Sequence, residues 1–261
     1  MSATTLTAPI RANTTGAHTR PGLGRLVAVE LRKTVNTRAG FWLQVATVAI
    51  TALVVTVRSV VGDAADQTFA AVLNVGIQPA AVLLPIAGIL LVTSEWSQRT
   101  GMITFTLVPA RSRVLGAKLI ASLVLALAAL VMAVTVVAAG VLVASPGVEG
   151  TWSDAAALIG QSAVFVTTGM VIGVAFGAVL LASTPAIVAL SALPITWTAV
   201  ASLSFFADAA PWTDTRLALA PLHSEVLSAT QWAQAGTALA LWMLVPLLIG
   251  IWRITRQEVA S

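Results

Sequence analysis

The chain contains no cysteine, which excludes disulfides, thiolate chemistry and Cys-ligated metals. Histidine is nearly absent. His18 and His223 stand far apart and outside the apolar runs, which speaks against a metal site built on them. Charge is scarce as well: Asp, Glu, Lys and Arg make up 9% of 261 residues, where a soluble domain carries about 25%. So few charges cannot clothe a soluble surface of this size. No Gly-rich phosphate loop is present, since Gly116-Ala117-Lys118 lacks the rest of the G-x-x-x-x-G-K-[ST] pattern. The chain is therefore expected not to be an ATPase or any other enzyme. No charge lies deep in an apolar run, although carriers accept at least about 2.5–3.5 kcal/mol to place one there. That speaks against a proton relay, a Na⁺ site, a voltage sensor and an intramembrane metalloprotease.

What the chain has is apolar sequence, 58% hydrophobic with a mean hydropathy of +0.94. A helix rises about 1.5 Å per residue and must cross about 30 Å of hydrocarbon, so roughly 20 residues suffice. Six runs qualify: 41–61, 76–93, 119–143, 155–182, 185–206 and 235–251. Continuous apolar text, rather than alternation every second residue, makes them helices and not barrel strands. The fold class is all-α: a polytopic membrane protein with six transmembrane helices and an amphipathic N-terminal surface helix. The weakest division is Ser183-Thr184-Pro185, where proline is expected to break the helix.

Residues 1–22 read as a disordered cytoplasmic tail, and 23–261 as a six-span membrane domain. Leu23, Leu26, Val27 and Leu31 recur at helical spacing with Arg25 and Arg32 opposite. That pattern suits a helix lying on the membrane surface, or simply a basic flank of the first span. Glu30 falls on the apolar side and spoils the stripe.

Charge orients the chain. With an even span count, twelve of the fourteen Lys and Arg share one side, leaving Arg58 and Arg216 opposite. Basic residues stay on the cytoplasmic face, so both termini are expected in the cytoplasm of a cell with a bacterial-type inner (plasma) membrane. The same bias accounts for the isoelectric point near 11.0 without nucleic acid. Trp42, Trp96 and Trp252 near one face, and Trp152, Trp212 and Trp232 near the other, form two interfacial belts. Trp197 and Trp242 lie within spans, to pack between helices or to meet a ligand.

The one sizeable polar island between apolar runs is Ser94–Lys118, with Glu95, Arg99, Arg111, Arg113 and Lys118. It is expected to be a cytoplasmic loop. Two further features concern packing. Gly169, Gly173 and Gly177 lay a small-residue groove along span four, for a helix of this chain or of a second copy. Pro85, Pro194 and Pro246 interrupt spans two, five and six, as hinges or as packing features. Gln44, Gln161, Thr167, Thr168, Ser191, Thr196 and Thr198 are expected to bond between helices.

The island carries a resemblance. Ser94-Glu95-Trp96, Arg99-Thr100-Gly101, Ile103-Thr104-Phe105-Thr106-Leu107, Pro109, Arg111, Arg113-Val114-Leu115 and Lys118 are similar to the loop of ABC transporter permeases of the type-2, exporter-like class. Glu30, Arg32-Lys33, Thr37-Arg38 and Trp42 resemble the segment that leads into that family's first span. One departure is Thr100-Gly101, where the family reads Gly-Thr. The resemblance implies a dimer with a second permease copy or paralogue, and a separate ABC ATPase subunit that binds ATP. It implies a coupling role for Glu95, Arg99, Thr100, Gly101, Pro109, Arg111, Arg113 and Lys118. It also implies that Ala207–Thr230 forms short helices dipping back toward the membrane. The alternative is a stand-alone membrane protein, a secondary carrier or an immunity or assembly factor.

Overall fold

A computed structural model describes residues 22–63, 66–97 and 111–256, with backbone only for 95–97, 111 and 112. The structure is 86% helical, with no strand among the described residues. Among the described residues, six helical stretches are long and apolar enough to cross a membrane. The fold class read from composition is the one observed. Most of the disordered-tail segment, residues 1–21, lies outside the described residues.

Helix α1 (Leu23–Asn36) stops at Thr37, whose extended backbone turns the chain into α2 (Arg38–Val61). The Thr37 hydroxyl caps α2 by accepting the Gly40 N–H at 3.2 Å. A side chain at Gly40 would overlap the Thr34 carbonyl, so glycine is what lets α2 double back so tightly. Span two is two helices, α3 (Phe69–Gly76) and α4 (Gln78–Ser97), and it starts earlier than its apolar run suggested. The Thr51 hydroxyl of α2 donates to the Gly76 carbonyl at the break, 3.2 Å away.

Helix α5 (Arg111–Ala144) is 34 residues and so about 50 Å long, more than a bilayer core needs. Residues 111–118, expected as loop, are its first two turns. Helix α6 (Ala155–Leu180) ends at Leu181 in the left-handed region, φ 54°. The break therefore falls two residues before the expected Ser183-Thr184-Pro185. Those three residues open α7 (Ser183–Ala201), because proline lacks only an N–H that has no partner in a first turn. Short helices follow: a 3₁₀ turn at Ser204–Phe206, α8 (Ala210–Thr213), α9 (Thr215–Leu219) and a 3₁₀ turn at Ala220–His223. Span six is α10 (Ala229–Leu239), a π-turn at Ala240–Leu244 and α11 (Val245–Arg256). In the π-turn the Val245 N–H reaches the Ala240 carbonyl just before Pro246, whose missing N–H leaves the regular ladder incomplete there.

The bundle has a basic end, holding α1, the start of α5 and the end of α11. Its acidic end holds the short helices. The core seam is α4 against α6. Gly173 faces the Pro85 carbonyl so closely that any Cβ would overlap it, while at Gly169 a Cβ would sit 3.7 Å from the Pro85 ring. A Cβ on Gly88 would come within 2.5 Å of the Met170 carbonyl. The small-residue groove is thus filled from within the chain, and Pro85 serves as packing surface. Burial is uneven: 56% of the apolar window of span two is buried, but 11% of that of α7.

The mild polar residues in the spans mostly do not bond between helices. Thr167, Thr168, Ser191, Thr196 and Thr198 donate to carbonyls of their own helices, at 2.6, 2.7, 3.0, 2.9 and 3.0 Å. The preceding turn offers the nearest acceptor to a short hydroxyl side chain. Gln161 is the exception. Its amide donates to the Leu222 and Glu225 carbonyls at 3.3 and 2.6 Å and accepts the Leu227 N–H at 2.9 Å. One side chain so pins the short helices to α6. Gln161→Leu leaves the buried Leu227 N–H without a partner, a loss of about 1–3 kcal/mol. Faster proteolysis confined to residues 220–228 is the expected readout; unchanged cleavage there would remove Gln161 from this role.

Of the belt tryptophans, Trp42 and Trp252 are exposed at the basic end and Trp152, Trp212 and Trp232 at the acidic end, while the side chain of Trp96 lies outside the described residues. Trp197 and Trp242 instead donate to Thr213, to its hydroxyl at 3.2 Å and its carbonyl at 2.8 Å, and hold α8 in place.

Candidate coupling site

Glu30 spoils the apolar stripe of α1 because it is paired. Its side of the helix, shared by the half-buried Leu26, Val27 and Leu31, leans on α5. There Lys118 Nζ donates to Glu30 Oε2 at 2.7 Å and to the Leu91 carbonyl at 3.0 Å. Lys33 Nζ donates to the other carboxylate oxygen, Oε1, at 2.8 Å. Glu30 and Lys118 are 5% and 4% exposed, so this is a buried ion pair. Burial of a charge is tolerated only when its hydrogen-bonding capacity is met, and here both carboxylate oxygens have a charged donor.

The position of Glu30 is fixed from its own side too. Thr34 donates its hydroxyl to the Glu30 carbonyl at 3.0 Å, and Thr37 donates to the Thr34 carbonyl at 3.1 Å. A cavity of about 170 Å³ lies beside the pair, lined also by Thr37, Ser94 and Ser183. Across it, Thr93 donates to the Ile89 carbonyl at 2.9 Å, so the Ser183 hydroxyl donates to Thr93 at 2.7 Å and ties α7 to α4. Arg253 of α11 bonds to the Val179 carbonyl at the end of α6.

The arrangement is mechanical. Leu91 lies about two turns before the end of α4, and Lys118 about two turns after the start of α5. These helices are the two stems of the segment 98–110. One ammonium group therefore joins both stems to α1.

Of the residues singled out in the polar island, Lys118 is at the centre of this junction. Arg113 lies half-buried one turn below the start of α5. Glu95 falls on the last turn of α4 and Arg111 on the first residue of α5. Arg99, Thr100, Gly101 and Pro109 lie outside the described residues. The partner of Lys118 was not legible from spacing, because Glu30 is 88 residues away. Its signal was a carboxylate on an otherwise apolar helix face. Among the described residues no three His, Asp or Glu side chains gather where a metal ion could be held. No family model matches this chain, and no curated protein matches it either.

Proposed function

We propose that this chain is the membrane-spanning permease subunit of an ATP-driven ABC exporter, coupled through residues 94–118 to a separate ATPase subunit. The observation that carries the reading is the Lys118 junction: a force on the segment 98–110 enters through stems that are bonded to each other and to α1. Twelve of fourteen basic residues on one side orient that junction, and both termini, to the cytoplasm of a bacterial-type inner membrane. The chain carries no phosphate loop, so the ATP sits on the partner. A second permease copy or paralogue completes the transporter. The ATPase closes on ATP, the 94–118 segments move, and α1, α4 and α5 move with them.

The test is a double charge reversal, Arg111→Glu with Arg113→Glu, in the full-length protein. Like charges facing the partner's docking surface cost several kcal/mol. The expected result is loss of an ATPase subunit that co-purifies with the unaltered chain, measured on protein that remains folded. Undiminished association together with intact transport would rule out docking at this segment.

A further inference from the structure

At the acidic end a cavity of about 780 Å³ lies between α4, α6, α7 and the short helices. That volume is in the range of about 300–1,000 Å³ typical of small-molecule sites. Its walls are apolar, with Pro85, Ile172, Leu190 and Pro194 among them, and Trp242 of the π-turn. Two interior prolines and a π-turn thus border one space, and irregular backbone at membrane depth is tolerated where it lines a cavity. Val82, another lining residue, is 62% exposed, so the cavity reaches the lipid-facing surface there.

The cavity also carries a cation at an end where cations are scarce. Arg58 and Arg216 are the basic residues there. Arg58 is engaged, since its guanidinium donates to the Asp66 carbonyl at 3.1 Å. Arg216 lines the cavity and is exposed, and among the described residues its guanidinium has neither a hydrogen bond nor an ion pair. Its backbone N–H, not its side chain, meets the cap residue Asp214, at 2.8 Å. Asp214 itself is 1% exposed and offers no open carboxylate to the cavity surface. His223, also in the lining, is 4% exposed; burial lowers its pKa from the ordinary 6.5 and keeps the ring neutral near pH 7. Among the described residues, Arg216 is thus the accessible full charge of this cavity. The hydroxyl of its neighbour Thr215, half-buried and also in the lining, makes no hydrogen bond among the described residues.

We propose that this cavity binds a phospholipid, one acyl chain among the apolar walls and the phosphate at Arg216, with the Thr215 hydroxyl donating to the same head. Charge complementarity carries the choice of head. A guanidinium matches a phosphate through two parallel N–H···O bonds, and a cation beside an opening onto lipid meets phosphate heads first. Snorkelling of Arg216 to bulk head groups would use the same guanidinium but not the cavity. This site is independent of the transport reading, and its test involves neither ATP nor a partner.

The experiment titrates the full-length protein in maltoside detergent with oleoyl lyso-phosphatidylglycerol or with monooleoylglycerol, and counts bound copies by native mass spectrometry. The two share tail and glycerol ester, and only the first has a phosphate. Charge-assisted hydrogen bonds imply that it binds about tenfold tighter or more. Arg216→Gln brings the two to within about twofold, and Arg216→Lys, which keeps a charge but not the fork, retains part of the preference. The side chain of Arg216 holds nothing else in place, so these variants keep the fold. Leu190→Trp fills the apolar wall and weakens both amphiphiles by about tenfold. Equal binding of the two by the unaltered chain overturns the phosphate assignment, and an unchanged preference in Arg216→Gln overturns the role of Arg216. Unchanged lyso-phosphatidylglycerol affinity in Leu190→Trp overturns the location and leaves snorkelling. The Arg216→Gln comparison decides whether or not Leu190→Trp folds.

Discussion

Lys118→Met is expected to destabilise the protein by about 3–5 kcal/mol, because it leaves the Glu30 carboxylate buried with a single, partly exposed partner. Glu30→Leu strands the opposite charge and falls in the same range. The pair Glu30→Leu with Lys118→Met removes both charges at similar volume, and its stability is expected near that of the unaltered chain. The reason is the balance of large terms. Desolvating two ions costs several kcal/mol each, and their mutual attraction at 2.7 Å roughly returns it. Removing one ion forfeits the return and keeps the cost. Thermal unfolding of all four proteins in detergent measures this cycle. Single variants as stable as the parent would show that the pair is not buried in the folded protein. The double variant also separates stability from function: it keeps the fold but loses the link between the two stems and α1. Under the exporter proposal, ATP-driven transport falls while the protein stays folded.

The second large effect is expected at Gly173. A Cβ there overlaps the Pro85 carbonyl, and neither backbone can yield without parting α4 from α6. Overpacking a close seam costs about 1–3 kcal/mol and sometimes more. Gly173→Ala should reach the upper part of that range, and Gly173→Leu should prevent the chain from accumulating in the membrane. The neighbouring glycines grade the effect. At Gly177 a Cβ would lie 3.1 Å from the Ile89 carbonyl, tight but adjustable. At Gly169 it would meet the Pro85 ring at an ordinary 3.7 Å. The expected order of destabilisation is Gly173→Ala, then Gly177→Ala, then Gly169→Ala with little change. Equal effects at all three positions would mean that the groove does not seat Pro85. A loss confined to dimer formation would place the groove's partner on a second copy instead.

The six spans were legible because length and continuous apolarity are local properties. Element boundaries were less so, for identifiable reasons. Pro185 looked like a helix breaker, yet proline is welcome in a first turn, and the chain actually reverses at Leu181, a residue type with no turn signature. Residues 111–118 read as loop because they carry Arg111, Arg113 and Lys118, although a long helix projecting past an apolar core can carry charge freely. The Thr and Ser hydroxyls were expected across interfaces; proximity to their own carbonyls decided otherwise. Non-local pairings left partial traces. Glu30 was conspicuous as a misfit, and Lys118 as the end of the polar island, but nothing in periodicity joins them. The burial of Asp214 and His223 left no trace, because short helices bury a side chain only once they are folded over α4 and α6.

Helix α7 covers a cavity of about 780 Å³ that lies between it, α4, α6 and the short helices. Among the described residues, two side-chain hydrogen bonds fasten α7 to the rest of the chain. Ser183 holds its first turn to Thr93, and Trp197 holds its far end to Thr213. Each is worth about 0.5–1.5 kcal/mol net, and the middle of the helix, with Leu190 and Pro194 over the cavity, buries little against protein. Lipid tails replace such contacts at almost no free-energy difference. Sideways displacement of α7 therefore has a low barrier, and the α4–α6 seam need not open. Occupancy of the cavity then tracks the composition of the surrounding bilayer on the timescale of helix motion, rather than recording whatever molecule was present when the chain was inserted.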